Sequence, residues 1–252
     1  MSAATDRACA VAEAPVDVDR LRALAAEGAE TLGWEASAEE VIAWVGEHFS
    51  VEDLAVACSM ADAVVPSLVA DQFPGVDVLF LETGYHFTET LATRDEVARQ
   101  LDVTVVDVTP KLSVAEQDAA HGKDLFASDP AACCRMRKVE PLNDALAGYR
   151  VWFSGVRREE APTRLNTPLV TFDEAHGLIK VNPLATWRHE DLVDHSARRR
   201  LPVNLLRDNG YPSIGCKPCT RPVAPGEDPR AGRWSGSGKI ECGIHTAAAT
   251  ES

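Results

Sequence analysis

Four short apolar runs, at positions 54–58 (LAVAC), 76–81 (VDVLFL), 103–108 (VTVVDV) and 151–156 (VWFSGV), constrain this chain more than any other feature. The apolar content is near-continuous instead of strictly alternating, so these runs read as strands covered on both faces. Helical stretches separate the first three. Together they give the βαβ signature of an α/β domain, a mostly parallel twisted sheet with flanking helices. Helix signals run over 19–32, over 41–49 behind a Ser37-Ala-Glu-Glu40 capping box, and over 61–71, 87–100 and 189–200. Two later runs, 169–172 and 178–181, are spaced as a hairpin. From Tyr211 to Gly238 glycine and proline punctuate the chain and regular structure is not expected. No internal repeat is evident. The reading is an N-terminal helical segment over 1–50, an α/β domain over 51–221, and a flexible C-terminal arm over 222–252.

The 252 residues, 45% of them hydrophobic, suffice for a core, and no apolar run approaches a membrane-spanning length. The opening residues lack the basic start and apolar stretch of a secretory signal, so a cytoplasmic location is expected. A net charge of −14 argues against a nucleic-acid binder, whose affinity rests on phosphate neutralisation. A small anion needs only a local basic pocket. Basic residues do cluster: Arg135, Arg137 and Lys138; Arg157, Arg158 and Arg164; Arg230 and Arg233.

Seven cysteines, an odd number without a secretory signal, point to metal or redox chemistry before disulfides. Cys216-Lys-Pro-Cys219 is open to three readings: a dithiol redox pair, half a zinc site, or two iron–sulfur ligands. Its proline- and glycine-rich flanks predict a loop, which favours metal ligation. Cys133 and Cys134 are adjacent, an awkward arrangement for one tetrahedral zinc ion but a reasonable one for two irons of a cubane. Two pairs thus fit a [4Fe–4S] cluster ligated by four cysteines, with zinc as the alternative. Cys242 stands alone in Lys239-Ile-Glu-Cys-Gly-Ile-His245, where Lys239 and His245 can supply thiolate character; an inert tail thiol is the bland reading. Ser59, between strand and helix, could hold a phosphate, and Glu82-Thr83-Gly84 sits at the strand end where open α/β sheets bind ligands.

The ordered set Cys133-Cys-Arg-Met-Arg-Lys138, Gly215-Cys-Lys-Pro-Cys219 and Lys239-Ile-Glu-Cys-Gly-Ile-His245 closely resembles bacterial assimilatory adenylyl-sulfate (adenosine 5′-phosphosulfate) reductases. Supporting matches include Phe80-Leu-Glu-Thr-Gly-Tyr-His-Phe87, Ser154-Gly-Val-Arg-Arg158 and Asp228-Pro-Arg-Ala-Gly-Arg-Trp234, and the resemblance spans roughly residues 50–245. It implies an adenine-nucleotide alpha-hydrolase-like fold and a [4Fe–4S] cluster on Cys133, Cys134, Cys216 and Cys219. It also implies a Cys242 nucleophile that forms an S-sulfocysteine, with thioredoxin as electron donor. Lys138 would reach toward the sulfonucleotide. Ser59, Leu81 and Thr83 fall where the family cradles phosphate and adenosine. One of Arg157, Arg158 and Arg164 would bind the nucleotide, and Arg230 and Arg233 would clamp it. The phosphate loop Cys58-Ser-Met-Ala-Asp62 lacks the glycine of many relatives. Nucleic-acid and membrane partners are not expected; homo-oligomerisation is left open. The alternatives are reduction of the 3′-phosphorylated nucleotide or of both, a nucleotide-dependent transferase, for which the glycine-rich pyrophosphate loop is missing, and a non-catalytic iron–sulfur sensor.

Overall fold

A computed structural model describes residues 17–245. The expectations for 1–16, with Cys9, and for 246–252 lie outside the described residues. Helices α1 (Val18–Leu32) and α2 (Ala38–His48) come first, followed by β1 (Leu54–Ala57), α3 (Val64–Gln72), β2 (Val76–Leu81), α4 (Thr88–Gln100) and β3 (Val103–Val108). Four helices fill the next stretch: α5 (Val114–His121), α6 (Leu125–Ser128), α7 (Pro130–Cys134) and α8 (Glu140–Leu146). Then come β4 (Val151–Ser154), β5 (Val170–Asp173), β6 (Leu178–Val181) and α9 (His189–Arg199).

The six strands form one sheet in the order β3-β2-β1-β4-β6-β5. Every pairing is parallel except β5 with β6, the expected hairpin, which closes one edge. Side chains alternate between two faces as strand geometry requires. On one face Val56, Val78, Phe80, Phe153, Ile179 and Val181 pack with the apolar sides of α1, α2, α3 and α9 in the main core. On the other, Ala55, Leu79, Trp152 and Leu178 meet Leu142 and Leu146 of α8. Burial of both faces is why the strands read as apolar runs. The N-terminal helices share the main core, through Leu21, Ala25, Val41, Ile42 and Trp44.

Both hydrogen bonds of the Ser37–Glu40 capping box form, and they start α2. Helix α3 begins at Val64, later than its periodicity predicts. Met60 takes a left-handed φ of 58°, and the Asp62 carboxylate instead accepts from the Val64 N–H to begin the helix. Between α7 and α8 the chain forms one π-helical segment, Arg135–Val139. The cause is in the sequence: Pro141 has no N–H to give Arg137, and its ring crowds that carbonyl, so the turn widens. The glycine- and proline-rich segment lacks helix and strand of any length but lies against the body. Thr220 and Arg233 form an isolated bridge, and Trp234 is buried, its N–H donating to the Cys219 carbonyl.

Gly28 lets α1 and α2 meet, since a Cβ there would lie 2.5 Å from the Trp44 ring. We predict that Gly28→Val lowers stability by about 1–3 kcal/mol through overpacking, read as a lower midpoint in urea unfolding with an unchanged slope.

Candidate active site

The parallel strands β1, β2 and β4 end together, and the loops leaving them wall a cavity of about 580 Å³. Open parallel sheets bind ligands at this carboxyl edge because loops diverge there. The wall holds Ser59 and Leu81, then Lys138, Arg157, Arg158 and Arg164, and finally Arg230, Arg233, Cys242 and His245 from the C-terminal segment. Residues separated by most of the chain thus converge, including all but two of the expected catalytic and nucleotide-binding side chains. Thr83 and Gly84 lie outside this wall. Thr83 is fully buried, and its hydroxyl accepts from the Cys216 thiol at 3.4 Å. Gly84, at φ 74°, lies close to the Arg137 guanidinium.

Most cavity arginines are already paired. Arg157 meets Glu159 at 2.7 Å and Glu160 at 3.5 Å, and Arg207 meets Asp62 at 3.0 Å. Arg164 makes two hydrogen bonds to Glu241, of 3.0 and 2.9 Å, and Arg230 adds a third at 3.1 Å. Burial raises the Glu241 pKa, but these partners outweigh it and hold the carboxyl below its ordinary value. Arg158 leans toward the N-terminal helices, stacked 3.6 Å from the Trp34 ring centroid and donating to the Thr167 carbonyl.

Lys138 and Arg233 differ from these, having no carboxylate partner among the described residues. Arg233 donates to the Ser213 hydroxyl and the Ile214 carbonyl, and its Nε is buried without a partner. Burial, then the neighbouring Arg230, lowers its pKa. A Cβ at position 215 would lie 2.3 Å from its guanidinium, so Gly215 is required by this close approach. Burial works against the charge on Lys138, yet the Cys216, Cys242 and Cys134 thiols facing it raise its pKa overall.

Behind this wall lies a second, smaller pocket lined by Cys133, Cys134, Cys216 and Cys219. Arg137, Lys138 and Arg233 also line it, and no carboxylate does. All four thiols are free. Burial, then mutual repulsion, pushes Cys133 up to about 12 and Cys219 up to about 11. As thiolates, these sulfurs would need a strong positive charge among them. No group of three or more His, Cys, Asp or Glu side chains among the described residues is arranged to hold a metal ion. Two cysteines come from the end of α7 and two from the turn Lys217–Cys219 and its start, which is fixed by the bond from Lys217 N–H to the Tyr85 carbonyl. Lys138, Arg233 and Trp234 belong to both pockets and form the partition between them.

Cys242 is half-buried in the large cavity, apart from the four thiols. Beyond it Ile244 packs against the α8 side of the sheet, and His245 stacks on Trp152 with centroids 5.9 Å apart and planes at 9°. Several participants escaped the sequence reading. Glu241 precedes the singled-out cysteine directly, a signal the motif offered. Asp62 closes the loop already singled out around Ser59, whereas Lys180, Trp152 and Arg207 carried no signal, being single polar or aromatic positions in ordinary runs.

Comparison with known proteins fits this picture. Residues 53–222 match the family described as the phosphoadenosine phosphosulfate reductase domain. An adenosine 5′-phosphosulfate reductase of Mycolicibacterium smegmatis is 54% identical over 91% of this chain and 96% of its own length. One from Rhodococcus opacus is 52% identical over 90% of this chain and 95% of its own. Among solved structures, the phosphoadenylyl-sulfate reductase of Candida auris, in a phosphate complex, aligns with a TM-score of 0.63 at 26% identity. That alignment covers 84% of this chain and all of that one. An FMN adenylyltransferase of Candida glabrata, at 11% identity and TM-score 0.54, covers 81% of this chain and 74% of its own and shares the adenine-nucleotide alpha-hydrolase-like fold alone. With a matching domain over most of its length and relatives identical at half their positions, the chain belongs to the phosphoadenosine phosphosulfate reductase family of oxidoreductases, alongside the adenosine 5′-phosphosulfate reductases.

Proposed function

We propose that this protein reduces adenosine 5′-phosphosulfate to sulfite and AMP, with Cys242 as nucleophile and thioredoxin as electron donor. The observation that carries the reading is the separation of sulfurs. Four thiols face a pocket behind the nucleotide-sized, cation-lined cavity; of the two that line the cavity itself, Cys58 and Cys242, burial pushes Cys58 up to about 12, which leaves Cys242 as the nucleophile.

The sulfuryl group is ringed by oxyanions that repel a thiolate, so the attack requires positive charge already in place. Lys138 and Arg233, without carboxylate partners of their own, supply it. The Cys242 thiolate attacks the sulfate sulfur, forming S–S as the sulfur–oxygen bond to AMP breaks, and the leaving phosphate takes that electron pair. The first thioredoxin thiolate then attacks Cys242 Sγ and sulfite departs with the S–S pair. The second thioredoxin thiol resolves the mixed disulfide and returns Cys242 as thiolate. Two electrons pass from dithiol to sulfur, which falls from the oxidation state of sulfate to that of sulfite. Ser59 and Leu81 are assigned to the nucleotide, with Thr83 and Gly84 shaping the loop behind them. Arg157 and Arg164 serve it more directly than Arg158, which is engaged by Trp34. Arg230 and Arg233 close over it, and His245 positions the tail.

The charge balance favours the substrate without a 3′-phosphate. The other cavity arginines already face carboxylates, so a further phosphate would meet Asp62, Glu159, Glu160 or Glu241 before an unpaired cation. For the second pocket we propose a [4Fe–4S] cluster on Cys133, Cys134, Cys216 and Cys219. Support comes from four thiols converging on one pocket with a carboxylate-free cationic wall. When bound, the cluster would pin α7 to the Lys217–Cys219 turn and add its field to Lys138.

The deciding assay is sulfite release from the two sulfonucleotides, with and without the 3′-phosphate, in the presence of reduced thioredoxin. Faster turnover of the unphosphorylated one is expected, and the reverse order overturns the assignment. Cys242→Ser should lower the rate by at least ~10³-fold, and omitting thioredoxin from the parent reaction should leave one SO3 group on the peptide containing Cys242, detected by mass spectrometry. Lys138→Ala should cost ~10²–10³-fold in kcat/KM with the unfolding midpoint unchanged. Gly215→Ala should weaken nucleotide binding about as much as Arg233→Ala, because both remove the guanidinium from its place; isothermal titration measures it. Cys219→Ser should bind substoichiometric iron and lose the visible absorbance of the parent protein, read by metal analysis and spectroscopy.

A further inference from the structure

The reactive segment is held at two points, one on either side of Cys242. Upstream, Glu241 is gripped by Arg164 and Arg230. These arginines face the nucleotide cavity, so an anionic ligand entering it competes with Glu241 for them. Downstream, His245 reaches from the cavity wall onto a seat formed by Trp152 and Lys180, neither of which lines the cavity. The seat is built by cross-strand neighbours: Trp152 of β4 and Lys180 of β6 are paired in register and project from the same face. Lys180 Nζ lies 4.6 Å from the Trp152 ring centroid and 3.3 Å from His245 Nδ1, while the His245 ring stacks on Trp152.

The seat is rigid for identifiable reasons. Trp152 is fully buried, and its indole N–H donates to Asp173 Oδ2 at 3.1 Å. The same carboxylate oxygen lies 2.9 Å from His176 Nδ1, whose other nitrogen is 2.8 Å from Asn143 Oδ1 on α8. Lys180 is 9% exposed and has no direct carboxylate partner among the described residues. A lysine in a sheet interior without such a partner is costly unless its head is used. Burial, against the attraction of Asp173, brings its pKa down to about 8, and burial followed by Lys180, Arg164 and Arg230 holds His245 far below its ordinary value. A neutral imidazole is the acceptor that a lysine ammonium requires, so the pair is chemically matched.

We propose that Lys180 is a positioning residue for the reactive tail: with Trp152 it forms a ligand-independent seat that locks His245 and thereby keeps Cys242 in the cavity when substrate draws Arg164 and Arg230 away from Glu241. The role in catalysis rests on the function proposed above; the seat itself does not.

The test uses the purified holoenzyme with Lys180→Met, His245→Ala and the double variant, beside Trp152→Phe in case the lysine variant does not fold. Iodoacetamide labelling of Cys242, followed by mass spectrometry at one fixed pH, measures tail release without any turnover. Lys180→Met is expected to label about tenfold faster than the parent, with an unfolding midpoint no lower, because methionine replaces a buried charge with an apolar chain of similar length. His245→Ala should match it, and the double variant should add nothing, as two halves of one contact must. In the sulfite assay kcat should fall about 10- to 100-fold with KM nearly unchanged. Parent-like labelling in both Lys180→Met and Trp152→Phe, or additive effects of Lys180→Met and His245→Ala, overturns the seat. Released tails in a protein that makes no sulfite from either sulfonucleotide would uphold the seat while refuting the proposed reaction.

Discussion

The partition between the two pockets is the constraint on which the site depends. Lys138, Arg233 and Trp234 face a nucleotide-sized cavity on one side and four thiols on the other, so the same cations serve both. In a protein with a net charge of −14, Lys138 and Arg233 stand at this wall with no carboxylate partner among the described residues. Elsewhere in the cavity carboxylates balance the arginines, which lets them be buried without unpaired charge and keeps unneutralised charge where sulfur chemistry needs it.

That partition depends on backbone geometry more than on side-chain type. Lys138 sits in the π-helical turn forced by Pro141, and Cys133 and Cys134 end the helix just before it. One proline therefore sets the relation between the thiol pair and the lysine. Gly215 does the same on the opposite side, where only a hydrogen leaves room for the Arg233 guanidinium beside the Cys216 loop. Thr83 links the strand end to the same loop through Cys216, joining the sheet to the thiol pocket.

Much of this was legible in the chain, and the gaps have physical causes. Strands β2 and β3 lie where the apolar runs place them: β2 is covered on both faces, and edge strand β3, though half-exposed, keeps the β-branched valines that mark a strand. The stretch between β3 and β4 did not declare itself. Its helices are short, α6 and α7 spanning only four or five residues, so no amphipathic period accumulates, and the proline in their continuation reads as a breaker. Cysteine spacing pointed to the thiol pocket, and the solitary Cys242 pointed to the cavity. Partners across long separations were invisible: Glu241 meets Arg164 from 77 positions away, and Lys180 meets His245 from 65. Lys180 looked like the ordinary polar position of a short strand, and only the fold reveals that its side is covered. Thr83, expected beside the ligand, instead turns toward a thiol.

The place of Ile244 has a dynamic consequence. Its side chain packs on the α8 side of the sheet beside Trp152, so peeling Cys242 outward exposes apolar surface to water. At roughly 1–2 kcal/mol for a partly buried aliphatic chain, the splayed form is about 3–15% of molecules. In the proposed reaction a protein reductant would have to capture the minor conformer or pry it loose, whereas a small nucleotide can enter with the segment still seated. Hydrophobic anchorage of one residue thus makes access to the Cys242 sulfur size-selective, admitting small molecules more readily than protein partners.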